Sequence, residues 1–323
     1  MNGRDRSVND RMSTIPAMNV DSYRFTVFTP THNRAHTLPR VYESLKAQTF
    51  RDFEWLIVDD GSTASGLVAQ WIGEAIIPIR YIKQAHGHKK VAHNRAVQEA
   101  RGAFLLPLDS DDELLPDALA ILYEAWLGIP EPEREHFTGV CGLCVDESGR
   151  VVGDAFPMNC MHSDVLEVRY VHRIEGEKCG FNRVDVLRGY PFPDKIHGYV
   201  PESVVWHSIA ERYKTCFINR PVRVYHADVE SVTRPRRRLE AIRRHAEGHA
   251  YLARETLDRE LHYFRYRPVW FLKMAANYTR FHCHLAHTQP GKRYSLQRAT
   301  ARVLAWALSP MGWLRYALDC MGI

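Results

Sequence analysis

AFLLPLDSDD, residues 103–112, is the stretch on which the reading of this sequence turns. An apolar run of this length, bounded by polar residues, reads as a buried strand. It stops abruptly in Asp109-Ser110-Asp111-Asp112, and the helix-compatible LPDALAILYEAWL (115–127) follows. The same order recurs upstream. RFTVFTP (24–30) reads as a first strand ended by Pro30, and a short helix carries Val41 and Leu45. FEWLIVDDGS (53–62) is a second strand that also ends in acids, Asp59-Asp60. IRYIKQ (79–84) is a third, followed by a helix over 91–101 with Ala92, Ala96, Val97 and Ala100 facing inward. Strands separated by helices imply a parallel sheet with right-handed crossovers.

Downstream the texture changes. GVCGLCVDESGRVVG (139–153) reads as a hairpin turning at Glu147-Ser148-Gly149, VVWHSIAERY (204–213) as an amphipathic helix, and TCFINRPVRVYH (215–226) as one or two strands. Residues 236–287 are almost wholly helix-compatible and rich in Arg and His, and 295–323 form an amphipathic stretch after a turn at 290–294. The expected division is a leader over 1–22, an α/β domain over 23–228 with halves 23–127 and 128–228, and a helical region over 229–323. Met12 or Met18 could be the start of translation. The leader lacks the apolar core of a signal peptide.

Composition bounds the function. The 323 residues are 45% apolar and 25% charged, which is a folding composition. The net charge of +5 is mild, and no zinc-finger, RRM or basic-zipper pattern occurs, so nucleic acid is not an expected partner. Seven scattered cysteines fit a reducing compartment better than a disulfide framework. No apolar run reaches the ~18 residues of a membrane-spanning helix. A cytoplasmic location, at the inner face of a membrane, is expected.

In an open parallel sheet, ligands bind beyond the carboxyl ends of the strands. Two acidic clusters on that edge would repel unless a cation or a donor-rich ligand lay between them. Asp-x-Asp suits Mg²⁺ or Mn²⁺ held by few protein ligands, with diphosphate oxygens completing the shell, so Asp109 and Asp111 are the metal candidates. Asp112 reads instead as a helix N-cap. Neither a Walker loop nor a Gly-x-Gly-x-x-Gly fingerprint is present.

Three blocks in order, FTPTHNRAHTLPRVYESLKAQTFRDFEWLIVDDGST, GHKKVAHNRAVQEARGAFLLPLDSDDELLPDAL and PESVVW, carry a resemblance. Over residues 25–228 the chain resembles the inverting family-two glycosyltransferases. The resemblance implies a GT-A-type, Rossmann-like, mostly parallel sheet flanked by helices, with the helical region as a C-terminal extension. It implies a nucleotide-sugar donor, a UDP-sugar by expectation, and a divalent metal. Carried over by position, Thr29, Pro30, Thr31 and Asn33 would line the nucleoside, and Asp60 would accept from the base. Asp109, with Ser110 beside it, would sit near the ribose, and Asp111 would be the main metal ligand. Glu202 falls where the catalytic base is expected, although many relatives carry Glu-Asp where this chain has Pro201-Glu202. Lys89 and Asn94 match the family's loop before the acidic strand. Glu177 and Lys178 are candidate acceptor contacts.

The acceptor expected is a saccharide or lipid-linked saccharide of cell-surface polysaccharide synthesis. Rival readings are a nucleotidyltransferase, whose Gly- and Arg-rich first loop is missing from TPTHNRAHT, and a non-catalytic sugar-nucleotide binder. Glu202 could also be an ordinary helix start. Cys141 and Cys144 have metal spacing without a partner pair and read as buried thiols. The histidines at 245, 249, 282, 284 and 287 read as interface or solvated residues. Basic SVTRPRRRLEAIRR (231–244) and the Trp-rich tail beyond it fit either helices packed on the catalytic domain or peripheral membrane contact through 231–323.

Overall fold

The computed structural model describes residues 22–63, 66–226 and 238–322. The expected leader, but for Ser22, and the first half of the basic run at 231–244 lie outside the described residues. In chain order the elements are β1 (Tyr23–Thr31), α1 (Leu38–Lys46), β2 (Phe53–Asp59), α2 (Gly66–Glu74), β3 (Ile79–Lys83), α3 (His88–Glu99), β4 (Gly102–Pro107), β5 (Glu113–Leu114) and α4 (Ala118–Leu127). There follow β6 (Phe137–Val145), β7 (Met161–Ser163), α5 (Val165–Tyr170), β8 (Lys178–Arg183), α6 (Val184–Arg188), α7 (Ser203–Ala210) and β9 (Lys214–Val224). The chain ends in α8 (Arg238–Arg259), α9 (Pro268–Thr288), α10 (Ala299–Ala307) and α11 (Ser309–Met321).

One sheet runs β3-β2-β1-β4-β8-β6-β9-β5, with β7 pairing β9. The β3-β2-β1-β4 half is parallel throughout, as the alternation of strand and helix requires. All seven residues of β2 are buried, because helices cover both faces of a parallel sheet. Alternate residues divide between two cores. Phe25, Val27, Trp55, Ile57, Phe104 and Leu106 pack on one face with α1, α2 and α4. Phe28, Leu56, Val58 and Leu105 pack on the other with α3, α6 and α7.

The second half of the sheet departs from the sequence reading. The expected hairpin over 139–153 reduces to one bridge, Val145 to Val151, although the turn at Gly149 forms. β6 spends its backbone groups on β8 and β9 instead. A strand with two long partners leaves no edge for its own return segment. Residues 215–226 form a single strand, β9.

The C-terminal helices are keyed to the α/β domain by buried polar contacts. Glu260, after α8, accepts from Tyr170 Oη of α5 at 2.5 Å and pairs with His207 Nδ1 of α7 at 2.8 Å. Asp319 of α11 takes a bidentate Arg280 at 2.5 and 2.6 Å and His284 Nε2 at 2.9 Å, joining α9 to α11. His249 stacks on Phe281 at 4.7 Å. His249 and His284 serve helix interfaces, as expected of them.

Candidate active site

Beyond the carboxyl edge of β4, each acid of the Asp109-Ser110-Asp111-Asp112 run meets a cation from a different element. Lys89 of α3 reaches Asp109 Oδ1 at 2.6 Å. Arg34, in the loop after β1, reaches Asp111 Oδ2 at 3.1 Å, and Arg40 donates to the Asp111 carbonyl at 2.9 Å. Arg223 of β9 reaches Asp112 Oδ2 at 3.2 Å. The repulsion anticipated from the sequence is therefore answered by the protein's own cations. Asp112 is not a helix cap. α4 starts at Ala118 behind Asp117, while Asp112 is buried on Arg223 and accepts from His226 N at 3.3 Å. Burial pushes the Asp112 carboxyl up to about 6 against the pull of Arg223.

Lys89 also reaches Glu202 Oε1 at 2.8 Å, so one ammonium spans Asp109 and Glu202. The three side chains keep 38–40% of their surface exposed. Burial opposes the Lys89 charge, but the two carboxylates outweigh it and hold the pKa above the ordinary lysine range. Burial would raise Asp109; Lys89 outweighs it and holds the carboxyl below its usual range. Glu202 occupies the N-cap position of α7, but its carboxylate makes no capping bond and points to Lys89 instead. The geometry thus separates Glu202 from a plain helix start.

The chain around Glu202 is pinned on two sides. Lys90, its charge disfavoured by burial, donates to the carbonyls of Ile196 and Gly198, the latter at 2.8 Å. On the other side α8 passes so close that a Cβ on Gly248 would lie 2.0 Å from the Tyr199 carbonyl. Gly198, at φ +72°, has no room for a side chain either, with the Arg244 carbonyl 2.4 Å away. Tyr199 N donates to His245 Nδ1 at 3.1 Å. Tyr199 is raised by burial and then by Glu202, and Tyr225 by burial and then by Glu177, so both phenols border the acid cluster.

Other expected residues have definite partners. Asp60 is buried, and its carboxylate accepts from Gln84 Nε2, Gly87 N and His88 N, each at 2.8 Å, with His86 Nδ1 also at 2.8 Å. Through these contacts Asp60 shapes the 84–88 turn into α3. Thr29 is fully buried and accepts from Trp55 Nε1 at 2.9 Å. Thr31 is buried with its hydroxyl unpartnered among the described residues, Pro30 is half-buried, and Ser110 is buried. Asn33, at φ 55°, accepts from Thr63 N at 3.1 Å. Asn94 clamps the Phe192 peptide, donating to its carbonyl at 2.9 Å and accepting from its N–H at 2.8 Å. Glu177 meets Arg223 at 3.0 Å, and Lys178 donates to the Glu175 carbonyl at 3.0 Å. Cys141 and Cys144 are free thiols raised by burial.

Sequence reasoning passed over Arg34, Arg223, Tyr199 and Tyr225. Arg34 follows Asn33 in the same loop and could have been included on position. Arg223 reads as one charge in an otherwise ordinary strand, with no local signal.

His93 lies beneath this centre, among Phe28, Phe192 and Trp206, with ring centroids 4.9–5.8 Å away. Neither ring nitrogen has a hydrogen-bond partner among the described residues, and burial lowers its pKa to about 4. Between the ordinary value near 6.5 and about 4, the unfolded chain binds this proton and the folded chain does not. Stability contributed by neutral His93 should therefore fall as the pH drops through that window, by about 1.4 kcal/mol per unit at most. His93→Phe should remove this slope from urea midpoints measured between pH 7 and 4. An unchanged slope would show that another group carries it.

The donor set suits a hard divalent cation. One oxygen of Asp109 and one of Asp111 make no hydrogen bond among the described residues. No three His, Cys, Asp or Glu side chains converge as a closed metal site among the described residues. A cation here would rest on one or two carboxylates and draw the rest of its shell from phosphate and water, as Mg²⁺ commonly does.

A family model described as "Glycosyl transferase family 2" matches residues 26–142, which carry β1 to β4, the acidic run and most of β6. The GalNAc(5)-diNAcBac-PP-undecaprenol beta-1,3-glucosyltransferase of Campylobacter jejuni is 25% identical over 211 residues, covering 62% of this chain and 64% of that protein. The chain spans less than two thirds of the length of the curated relatives it matches first. Staphylococcus aureus TarS 1–349 superposes with a TM-score of 0.56 at 18% identity, over 92% of this chain and 79% of that one. The mannosyltransferase PcManGT from Pyrobaculum calidifontis superposes with a TM-score of 0.51 at 19% identity, over 93% and 85%. The two superpositions bear on the fold alone, and both span the α/β half together with C-terminal helices. The matched segment, which holds the strand ends and the acids that define the site, is thus similar to glycosyl transferase family 2.

Proposed function

We propose that the chain is an inverting, metal-dependent glycosyltransferase. It moves a hexose from a nucleotide diphosphate donor, a UDP-sugar, to a saccharide or lipid-linked saccharide in cell-surface polysaccharide synthesis. The observation that carries this reading is the Asp109–Lys89–Glu202 constellation at the carboxyl edge of the sheet. It sets a metal-competent acid opposite a candidate base, with a cation between them. A nucleotide-binding module without catalysis would have no use for Glu202 in that position. The C. jejuni relative is named as acting on an undecaprenol-linked glycan, and the P. calidifontis structure as containing GDP-Man and Mn²⁺. The first supports an amphipathic acceptor here, and the second a nucleotide-sugar donor and a metal.

In this mechanism Asp111, with Asp109, would hold Mn²⁺ or Mg²⁺, which would supply Lewis-acid neutralisation of the departing diphosphate. Glu202 removes the proton from the acceptor hydroxyl on the opposite face of the sugar, through Oε2, since Oε1 faces Lys89. A single base suffices for direct displacement, and the anomeric configuration inverts. Lys89, paired with both Asp109 and Glu202, adds to the field around the diphosphate. The buried hydroxyl of Thr31 and the loop at Asn33 supply the nucleoside side, and Asp60 supports it by fixing the 84–88 turn. Peripheral membrane contact falls to α10 and α11, which expose Trp306 (79%), Val303 (65%) and Trp313 (57%) beside Arg298, Arg302 and Arg315. No helix among the described residues is long and apolar enough to cross a membrane.

A panel of UDP-, GDP- and dTDP-sugars, each with Mn²⁺ or with EDTA, tests the donor assignment by thermal unfolding. One nucleotide class should raise the midpoint only when Mn²⁺ is present, because a ligand of the folded state stabilises it. A flat response across the panel would remove the donor site and the proposed activity together.

A further inference from the structure

A second concavity lies beside the acid centre and takes no part in the chemistry above. It is a cleft of about 800 Å³ between the 173–176 loop and the start of α9, lined by Arg169, Arg173, Glu175, Arg267, Trp270 and Lys273 among others. Four cations face one carboxylate there. Glu175 is already taken by Arg267 at 2.5 Å, and Arg173 donates to the Tyr266 carbonyl at 3.0 Å. Arg169 lies over the Trp270 ring at 4.6 Å and makes no hydrogen bond or ion pair with any described residue. Lys273 has none either, and it is exposed. Like charges gathered at one cavity disfavour each other unless an anion joins them. The positive end of the 21-residue α9 adds to the same field.

The wall carrying these charges is built rather than loose. Asp154 brackets the loop, its N–H donating to the Glu175 carbonyl at 3.0 Å and its carboxylate accepting from Glu175 N at 2.9 Å. Gly153 and Gly176 cross so closely that a Cβ on either would lie 2.5 Å from the other's Cα. Arg173 holds φ 58°, a left-handed conformation that is costly for a long side chain. Such strain persists where the surrounding structure fixes it, and it concentrates at ligand sites.

Its position relates it to the acids. β8 runs antiparallel to β4 with Phe104 opposite Arg183 and Leu105 opposite Asn182. Carried to the end of β4, that register sets Lys178 level with Asp109, so the 173–176 loop lies just beyond the same edge of the sheet. Glu177, one residue past the loop, is joined to Asp112 through Arg223. On the far side, the connector that supplies Tyr266 and Arg267 also supplies Leu261 and Phe264 to a shallow apolar groove. Val303, Leu304 and Ala307 of α10 form its other bank. Across this surface an apolar groove, a cationic cleft and an acidic transfer centre follow one another.

We propose that the cleft seats the phosphate of an amphipathic, lipid-linked saccharide, with its hydrocarbon end along the α10 groove and its sugar toward Glu202. The sequence of apolar, cationic and acidic surfaces matches the sequence of lipid, phosphate and sugar in such a molecule. This rests on the transferase reading and adds to it the means by which the acceptor is recognised. Arg169 and Lys273 are the two cations there with no acceptor among the described residues, and they are the phosphate contacts.

Calorimetric titration of the full chain in EDTA tests this, because metal-dependent donor binding is then silent. The probes are farnesyl diphosphate, farnesol and inorganic phosphate. Farnesyl diphosphate should bind more tightly than either fragment. Arg169→Ala combined with Lys273→Ala should weaken it tenfold or more, and leave farnesol unchanged. Lys273→Glu alone, at an exposed position, should weaken it in the same direction without altering the unfolding midpoint. Equal affinity in the variants, or no binding by the native chain, overturns the proposal. Inorganic phosphate binding as tightly as farnesyl diphosphate overturns its lipid-linked part. Binding of farnesyl diphosphate through these cations by a chain that responds to no sugar nucleotide would keep the cleft and remove the transferase reading alone.

Discussion

Glu202→Gln should lower the rate of sugar transfer by about 10²–10⁴-fold, the usual contribution of a positioned general base. Binding of UDP should stay within about twofold, because the change touches the acceptor face and not the nucleotide. The amide keeps the size of the side chain but has no carboxylate to take the hydroxyl proton. It also leaves Lys89 with one carboxylate, Asp109, where it had two. The two consequences separate by pH. Loss of a base removes the acid limb of the rate profile, whereas a merely displaced Lys89 lowers the rate at every pH alike. Steady-state transfer with the donor selected by thermal shift, run from pH 5 to 9, reads both. Transfer at near-native rate would sink Glu202 as the base and favour a non-catalytic binder.

Asp111→Asn should abolish the Mn²⁺-dependent stabilisation by the donor nucleotide. Transfer should fall by at least about 10²-fold, since Lewis-acid help to a diphosphate is worth several kcal/mol. Folding is expected to survive. Asp111 is partly open to solvent, with 26% of its side chain exposed, and its ion pair with Arg34 contributes little at such a surface. The control is Asp112→Asn. That residue is buried on Arg223, so its loss should appear in the urea midpoint before it appears in metal dependence. If Asp111→Asn keeps a full Mn²⁺ response, the cation is held elsewhere.

Local grammar made the donor side of this protein legible. Four parallel strands, their order in the chain and the acids at two strand ends follow from apolar runs and their punctuation. α2 was missed because Gly66 and Gly73 interrupt its pattern, and β8 because KCGFNR carries only Cys179 and Phe181 as apolar side chains. The expectation for Asp112 failed because its real partner, Arg223, lies on a strand far along the chain, and no helix rule can report it. Asn94 looked like a ligand contact from its motif position, but the Phe192 peptide claims its amide. Lys89 and Glu202 were each singled out from position. That one ammonium joins them to Asp109 is a fact of tertiary folding. Buried ion pairs between distant segments leave no periodic trace in either segment.

The contact between Gly248 and the Tyr199 carbonyl bears on how this protein could be recombined. A chimera that grafts the first half of the chain onto another acceptor module would import α8 from a different source. Any residue larger than glycine at the point of contact would shift the backbone that leads into Glu202. The 196–202 segment and the helix that abuts it therefore form one structural unit. A successful exchange would move both or neither.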